Sequence, residues 1–229
     1  MGQPMRLPSV ITIDGPAASG KSTLGDLLAR RLGYTYFDTG VLYRALTYLA
    51  LEQGIPLDDI DALVQTAEQA ALTVQPPTQD DGRQYTVLAD GNDITWSIRA
   101  PAVERNVSKV STYPAVRRAL LEQQRTIGRR GRIVMVGRDI GSIVMPDADF
   151  KVFLLASAEE RARRRHAELQ AKGQDIAYAT VLHDLQRRDA LDQQNTLQPD
   201  DAYVLNSDGL APADVVGQLL TALERRAEF

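Results

Sequence analysis

A chain of 229 residues, 44% hydrophobic and 24% charged, is long enough to bury a large core in one α/β domain without cross-links. It has no cysteine, which excludes disulfides and thiolate metal sites, and its formal charge of −4 argues against general nucleic-acid binding. No run approaches 18 apolar residues, and the opening MGQPMRLPSV lacks the apolar core of a leader. A cytoplasmic protein without membrane contact is the expectation.

Helix and strand signals alternate along the chain, which predicts βα units on a mainly parallel sheet. An apolar strand over 10–14 runs into a glycine-rich turn and a helix over 21–32. A short strand over 34–38 delivers Thr39, a residue suited to cap the helix that follows and ends near Gly54. From 72 to 97 the texture changes. Pro76-Pro77, Asp81-Gly82 and Asp90-Gly91 punctuate short β-prone runs, predicting a small antiparallel insertion with two tight turns. Helices over 102–109 and 114–128 follow, then strands over 133–136 and 152–155. Two further helices (158–172 and 176–192), a strand over 202–205 and a helix to about 227 finish the chain. The expected fold is α/β: one domain over 1–229 built on a doubly wound, five-stranded, mainly parallel sheet.

The strongest motif is Gly15-Pro16-Ala17-Ala18-Ser19-Gly20-Lys21-Ser22, followed by Thr23, which matches G-x-x-x-x-G-K-[ST] at every fixed position. A strand precedes it and a helix opens at the lysine. Glycines let backbone N–H groups converge on phosphate oxygens, and the helix N-terminus adds favourable partial charge. Lys21 supplies a full charge to the β/γ-phosphates, and the Ser22 hydroxyl is the expected ligand for Mg²⁺. This predicts a nucleoside-triphosphate site and leaves open both what accepts the phosphate and whether the site serves a GTP switch instead.

Two further segments lie at the same expected sheet edge, where ligands of open α/β folds bind. Thr39, Tyr43 and Arg44 follow the second strand. Arg138 and Asp139 follow Gly137, between two buried-looking strands, as a surface turn or as charges held out to a ligand. Arg161 to Arg165 (RARRR) opens a helix, with Arg161 and Arg165 spaced to share one face and Arg164 beside them.

The stretches ITIDGPAASGKST, FDTGVLYRAL, VSKVSTYPAVRRALLEQQR, GRDIGSIVMPDADFKVFLLASAEERARRR and LQRRDALD together resemble bacterial-type cytidylate kinases, P-loop nucleoside-monophosphate kinases acting on CMP and dCMP. The resemblance implies that Thr39, Tyr43 and Arg44 meet the acceptor's phosphate and base edge. It implies that Ser108, Arg117 and Asp139 read cytosine, that Arg138 holds the CMP phosphate, and that Arg188 and Asp192 meet the ribose. It further implies that residues 72–97 form a nucleoside-monophosphate-binding insertion. A lid over 157–195 would bring Arg161, Arg164 and Arg165 to the transferring phosphate, in a monomeric enzyme.

The chain departs from that pattern in places. Val136 stands where the family usually has an acidic residue, so Ser22 alone is assigned to the metal. Leu191 and Asn195 stand where arginines are common, and Asn195 carries no charge for the acceptor phosphate. Asp14 is either a structural part or a tuner of the P-loop and stays outside the expected site. Trp96 reads as packing, and His166 and His183 as solvated helix residues. The competing readings are a P-loop kinase for shikimate or gluconate, and a GTPase-type binding switch. The former needs no cytosine-reading set. The latter needs an N-K-x-D stretch, which is absent from the sequence.

Overall fold

The structure, a computed structural model, describes residues 7–227; the reading of the N-terminal stretch falls mostly on residues 1–6, which lie outside them. At its centre β1 (Val10–Asp14) is buried at all five positions. Strands β2 (Thr35–Asp38), β6 (Ile133–Val136), β7 (Phe150–Leu155) and β8 (Tyr203–Asn206) complete a sheet of order β2-β6-β1-β7-β8. Every pairing is parallel. Near-continuous apolar runs suit strands covered on both faces, and both faces here are covered. Ile11, Ile13, Val134, Val136, Val152 and Leu154 pack with Leu24 and Leu28 of α1 (Lys21–Leu32) and Leu219 and Leu223 of α8 (Pro212–Ala227). On the opposite face, Val10, Ile133 and Met135 pack with α2 (Gly40–Glu52), α3 (Ile60–Gln69), α4 (Pro101–Thr112) and α5 (Pro114–Gly128). The expected doubly wound five-stranded sheet is what the chain forms.

Helix α3 is absent from the sequence reading. Its start is marked by Asp59, whose carboxylate accepts from the Ala62 N–H at 3.0 Å. Its apolar stripe is short, and packing against α5 holds it in place. Strand β7 begins earlier than expected because Phe150 and Lys151 pair in register with Ile11 and Thr12.

The antiparallel sheet consists of β3 (Leu72–Gln75), β4 (Thr86–Ala89) and β5 (Asn92–Asp93). Asp90 and Gly91 both adopt positive φ, 49° and 81°, the twist that a two-residue hairpin between β4 and β5 requires. Asp81-Gly82, expected to form a second tight turn, lies instead within a longer connection between β3 and β4. There Asp81 and Asp93 grip the buried Arg83 guanidinium, both at 2.6 Å. Trp96 corrects the packing expectation. Its side is about half exposed (48%), with the indole N–H donating to Asp81 at 2.8 Å.

After β7, Ser157 caps α6 (Ala158–Ala171), and α7 (Tyr178–Asp192) folds back along it. Ala162, Leu169, Val181 and Leu185 form their shared core, which closes over Ala17 of the P-loop. The carboxyl ends of β1, β2 and β6 therefore share one edge, with the α6–α7 hairpin beside it. No helix among the described residues is long and apolar enough to cross a membrane.

Candidate active site

Gly15 leaves β1 with φ 146°, and a Cβ there would lie 2.2 Å from the Leu154 carbonyl oxygen, so only glycine fits this close approach. The loop then wraps to Gly20, and α1 opens at Lys21. The Lys21 ammonium is almost fully enclosed, donating to the Pro16 carbonyl at 2.5 Å and approaching Ser19 Oγ at 3.4 Å. Burial, with the Arg138 charge second, pulls its pKa well below the ordinary lysine range. A cation held in such a place gains most from an anion brought to it, and phosphate oxygens supply one.

Asp14 is wholly buried and ends β1 beside this loop. Its carboxylate accepts two backbone N–H bonds, from Ile140 at 2.8 Å and Gly141 at 2.7 Å. Those amides open a π-helical turn (Ile140–Val144) immediately after Arg138 and Asp139. Burial pushes the Asp14 pKa up to about 6, against the pull of these two bonds. One carboxylate thus ties the phosphate cradle to the arginine–aspartate turn. It lies outside the site expected from the sequence. A charge closing a strand of apolar neighbours was the available signal.

The turn itself faces two ways. Arg138 donates to Asp192 Oδ2 from Nε and Nη2 (3.1 and 3.0 Å) and to the Gly15 carbonyl at 3.3 Å. Asp139 is nearly buried and is ion-paired with Arg117 of α5. The Arg117 guanidinium lies 5.6 Å from the centre of the Tyr43 ring and also donates to the Ser111 carbonyl at 3.1 Å. Arg117, Asp139 and Tyr43 are therefore brought together as one group.

A second group runs across the cleft. Arg44 of α2 is ion-paired with Glu104 of α4, Glu104 lies 3.9 Å from Arg188 of α7, and Arg188 lies 3.9 Å from Asp192. Asp192 closes the chain onto Arg138. Ser108 lies one helical turn beyond Glu104, so both share a face of α4. Thr39 occupies the residue before α2, but its hydroxyl donates to the Val136 carbonyl at 3.0 Å instead of capping the helix.

The arginine cluster divides by partner. Arg161 is buried and donates to Asp189 (2.9 and 2.6 Å) and to the Ala17 carbonyl at 3.1 Å. Arg164 donates to the Ser19 carbonyl at 3.3 Å, to Ser207 and to Glu160. Both brace the phosphate loop. Arg165 pairs with Glu168 at 2.8 Å, and its charge is felt by Glu104.

Residues 11–225 match the model of a family described as cytidylate kinase. The chain belongs to the cytidylate kinase family. It is 57% identical over 216 residues to a cytidylate kinase of Herpetosiphon aurantiacus, with 94% of each chain covered. A cytidylate kinase of Chloroflexus aggregans is 54% identical over 216 residues, again with 94% of each covered. That of Roseiflexus castenholzii is 52% identical over 225 residues, covering 98% of this chain and 97% of the relative.

Against the cytidylate kinase pattern, Val136 is buried among apolar neighbours and offers nothing to a cation. Its register partner on β2 is Asp38, whose Oδ2 accepts from Ser22 Oγ at 3.2 Å. A hydroxyl and a carboxylate meet there at the mouth of the phosphate loop. No trio of metal-ligating side chains occurs among the described residues, and Mg²⁺ bound through phosphates and water needs none. The residues present fit such an ion. Asp38 and Glu104 were not among the expected site residues. Asp38 closes a strand at the catalytic edge, and Glu104 lies four residues before Ser108, patterns that only the assembled sheet and helix make conspicuous.

Proposed function

We propose that this protein is a cytidylate kinase that moves the γ-phosphoryl group of ATP to CMP or dCMP, giving ADP and CDP or dCDP. The observation that carries the acceptor assignment is the Arg117–Asp139 pair packed on Tyr43. It presents donors and an acceptor at the same sheet edge as the phosphate cradle. A base edge satisfies such groups only if its own pattern is complementary, and polar groups left unpaired reject the wrong base by factors of roughly 10⁴ or more.

In the transfer, an oxygen of the acceptor phosphate forms a bond to the γ-phosphorus while the bond from that phosphorus to the β,γ-bridging oxygen breaks. The electron pair leaves with ADP. The attacking oxygen is already anionic, so the chain supplies no general base. It supplies positioning and neutralisation of two polyanions. Lys21 and the loop amides hold the donor phosphates, Arg44 and Arg138 hold the acceptor phosphate, and Arg188 with Asp192 meets the ribose. Ser108 joins Arg117 and Asp139 at the base. Ser22 and Asp38 would hold Mg²⁺, which neutralises charge on the donor phosphates when bound.

We infer that residues 72–97 carry the insertion beside the acceptor and that 157–195 act as the lid. Arg161 and Arg164 keep the lid hairpin seated on the phosphate loop, and Arg165 is the lid arginine offered to the transferring group. A cytoplasmic monomer is the setting we assign. A coupled ADP-release assay against CMP, dCMP, UMP, AMP, GMP and shikimate tests the reading. The highest kcat/KM is expected with a cytidine nucleotide, and a maximum with any other acceptor contradicts it.

A further inference from the structure

We propose that Glu104 is a built-in competitor for the acceptor's phosphate. It holds the Arg44 guanidinium, with Arg188 beside it, until the acceptor's phosphate displaces it from Arg44, and so sets the affinity for the acceptor. The inference rests on the reading of Arg44 and Arg188 as acceptor-side residues, and it adds a residue to which that reading gives no part.

The geometry carries it. Oε2 of Glu104 pairs with Arg44 Nη1, and Oε1 lies 3.9 Å from Arg188 Nη1, so one carboxylate spans cations on α2 and α7. Arg44 is paired directly, through one oxygen, whereas Arg188 is poorly served. Arg188 is held only at long range on both sides, and its Nε is buried without a hydrogen-bond partner. A carboxylate has two oxygens and one charge. A phosphate has three peripheral oxygens and nearly two charges, and it can fill a guanidinium fork that Glu104 reaches with one oxygen. The Glu104 side chain is 39% exposed, so it can turn out to water once displaced. Burial raises the pKa of Glu104, but the hydrogen bond and charge of Arg44 outweigh this and keep the carboxylate ionised. The competitor is therefore present at neutral pH.

Glu104 then acts as a filter. A ligand lacking a dianionic group gains too little to displace it, which favours phosphorylated acceptors over the bare nucleoside. Removing the carboxylate lowers that threshold for every phosphate-bearing ligand, inorganic phosphate included.

The test uses Glu104→Gln and Glu104→Ala beside the unaltered protein. It measures KM for CMP and ATP, the CMP dissociation constant by calorimetry, and the inhibition constant of inorganic phosphate against CMP. In both variants KM and Kd for CMP should fall about three- to tenfold, the phosphate inhibition constant should fall with them, and KM for ATP should stay unchanged. If CMP binding is unchanged or weaker in either folded variant while the unaltered protein phosphorylates CMP, the competitor role is wrong and the functional reading stands. If the unaltered protein does not phosphorylate a cytidine nucleotide, the reading and this inference fall together. Calorimetry with CMP alone on the unaltered protein guards against variants that do not fold. Competition requires CMP to bind and cytidine to fail, and equal affinities overturn it.

Discussion

Replacing Asp14 by asparagine should separate stability from catalysis. The buried carboxylate titrates near pH 6 in the folded protein against 3.8 unperturbed, a difference of roughly 2 units, or about 3 kcal/mol. Because the folded-state value is raised, the stability associated with this group is fully present below pH 4. It is lost as the pH climbs to about 6. Asparagine removes that charge cost at neutral pH. It also replaces one of the two N–H acceptors with an NH₂ that faces an N–H, a loss of about 2–4 kcal/mol. At pH 7 the two effects nearly cancel, so urea unfolding should show the variant within about 2 kcal/mol of the parent. At pH 4 the parent carboxyl is protonated, and the variant should be worse off by about 3 kcal/mol more than at pH 7. Catalysis has no such compensation. The amides of Ile140 and Gly141 anchor the turn bearing Arg138 and Asp139, and a shift near 1 Å in a reacting group costs about 10²-fold in rate. We expect kcat/KM for CMP to fall by about that factor with the fold intact. A variant within twofold of the parent, or a stability difference that does not change between pH 4 and 7, refutes the reasoning.

Asp38→Asn should raise the Mg²⁺ concentration needed for half-maximal activity about 10- to 100-fold, with a parallel loss in Mn²⁺ affinity measured by electron paramagnetic resonance in the presence of ADP. Asp139→Asn leaves Arg117 without its counter-charge and should raise KM for CMP by at least about tenfold. KM for ATP should hold, which steady-state kinetics in both substrates will check. Arg161→Lys breaks the two-bond pair with Asp189 and the tie to Ala17; at about 2–3 kcal/mol it should lower the calorimetric Tm by about 5–10 °C. Asn195→Arg, adding a charge for the acceptor phosphate, should lower KM for CMP, and an unchanged value counts against the electrostatic account of that position.

The sheet was legible because its evidence is local. Apolar runs such as Ile133–Val136 stop at glycine, and the phosphate loop fixes both its strand and its helix by spacing alone. Helix α3 was not legible, since its stability comes from α5, far away in sequence. The same holds for the site. Lys21, Arg138 and Asp139 belong to contiguous motifs. Asp38 and Glu104 matter through partners 16 and 60 residues away, so nothing in their own neighbourhoods marks them, and Asp14, whose partner lies 126 residues away, is marked only as a charge closing an apolar strand. The arginine cluster was legible as a group and not by member. Its pattern cannot tell Arg161, consumed by Asp189 and Ala17, from Arg165, which pairs only with Glu168 on its own helix.

The most direct test of the central claim follows the phosphorus itself. The protein is given γ-³²P-ATP, Mg²⁺ and an equimolar mixture of CMP, UMP, AMP and GMP, and the products are separated after less than one turnover. The account predicts label predominantly in CDP, and no labelled product with Lys21→Ala. Label in another nucleoside diphosphate, in inorganic phosphate alone, or in CDP made equally well by Lys21→Ala would contradict it.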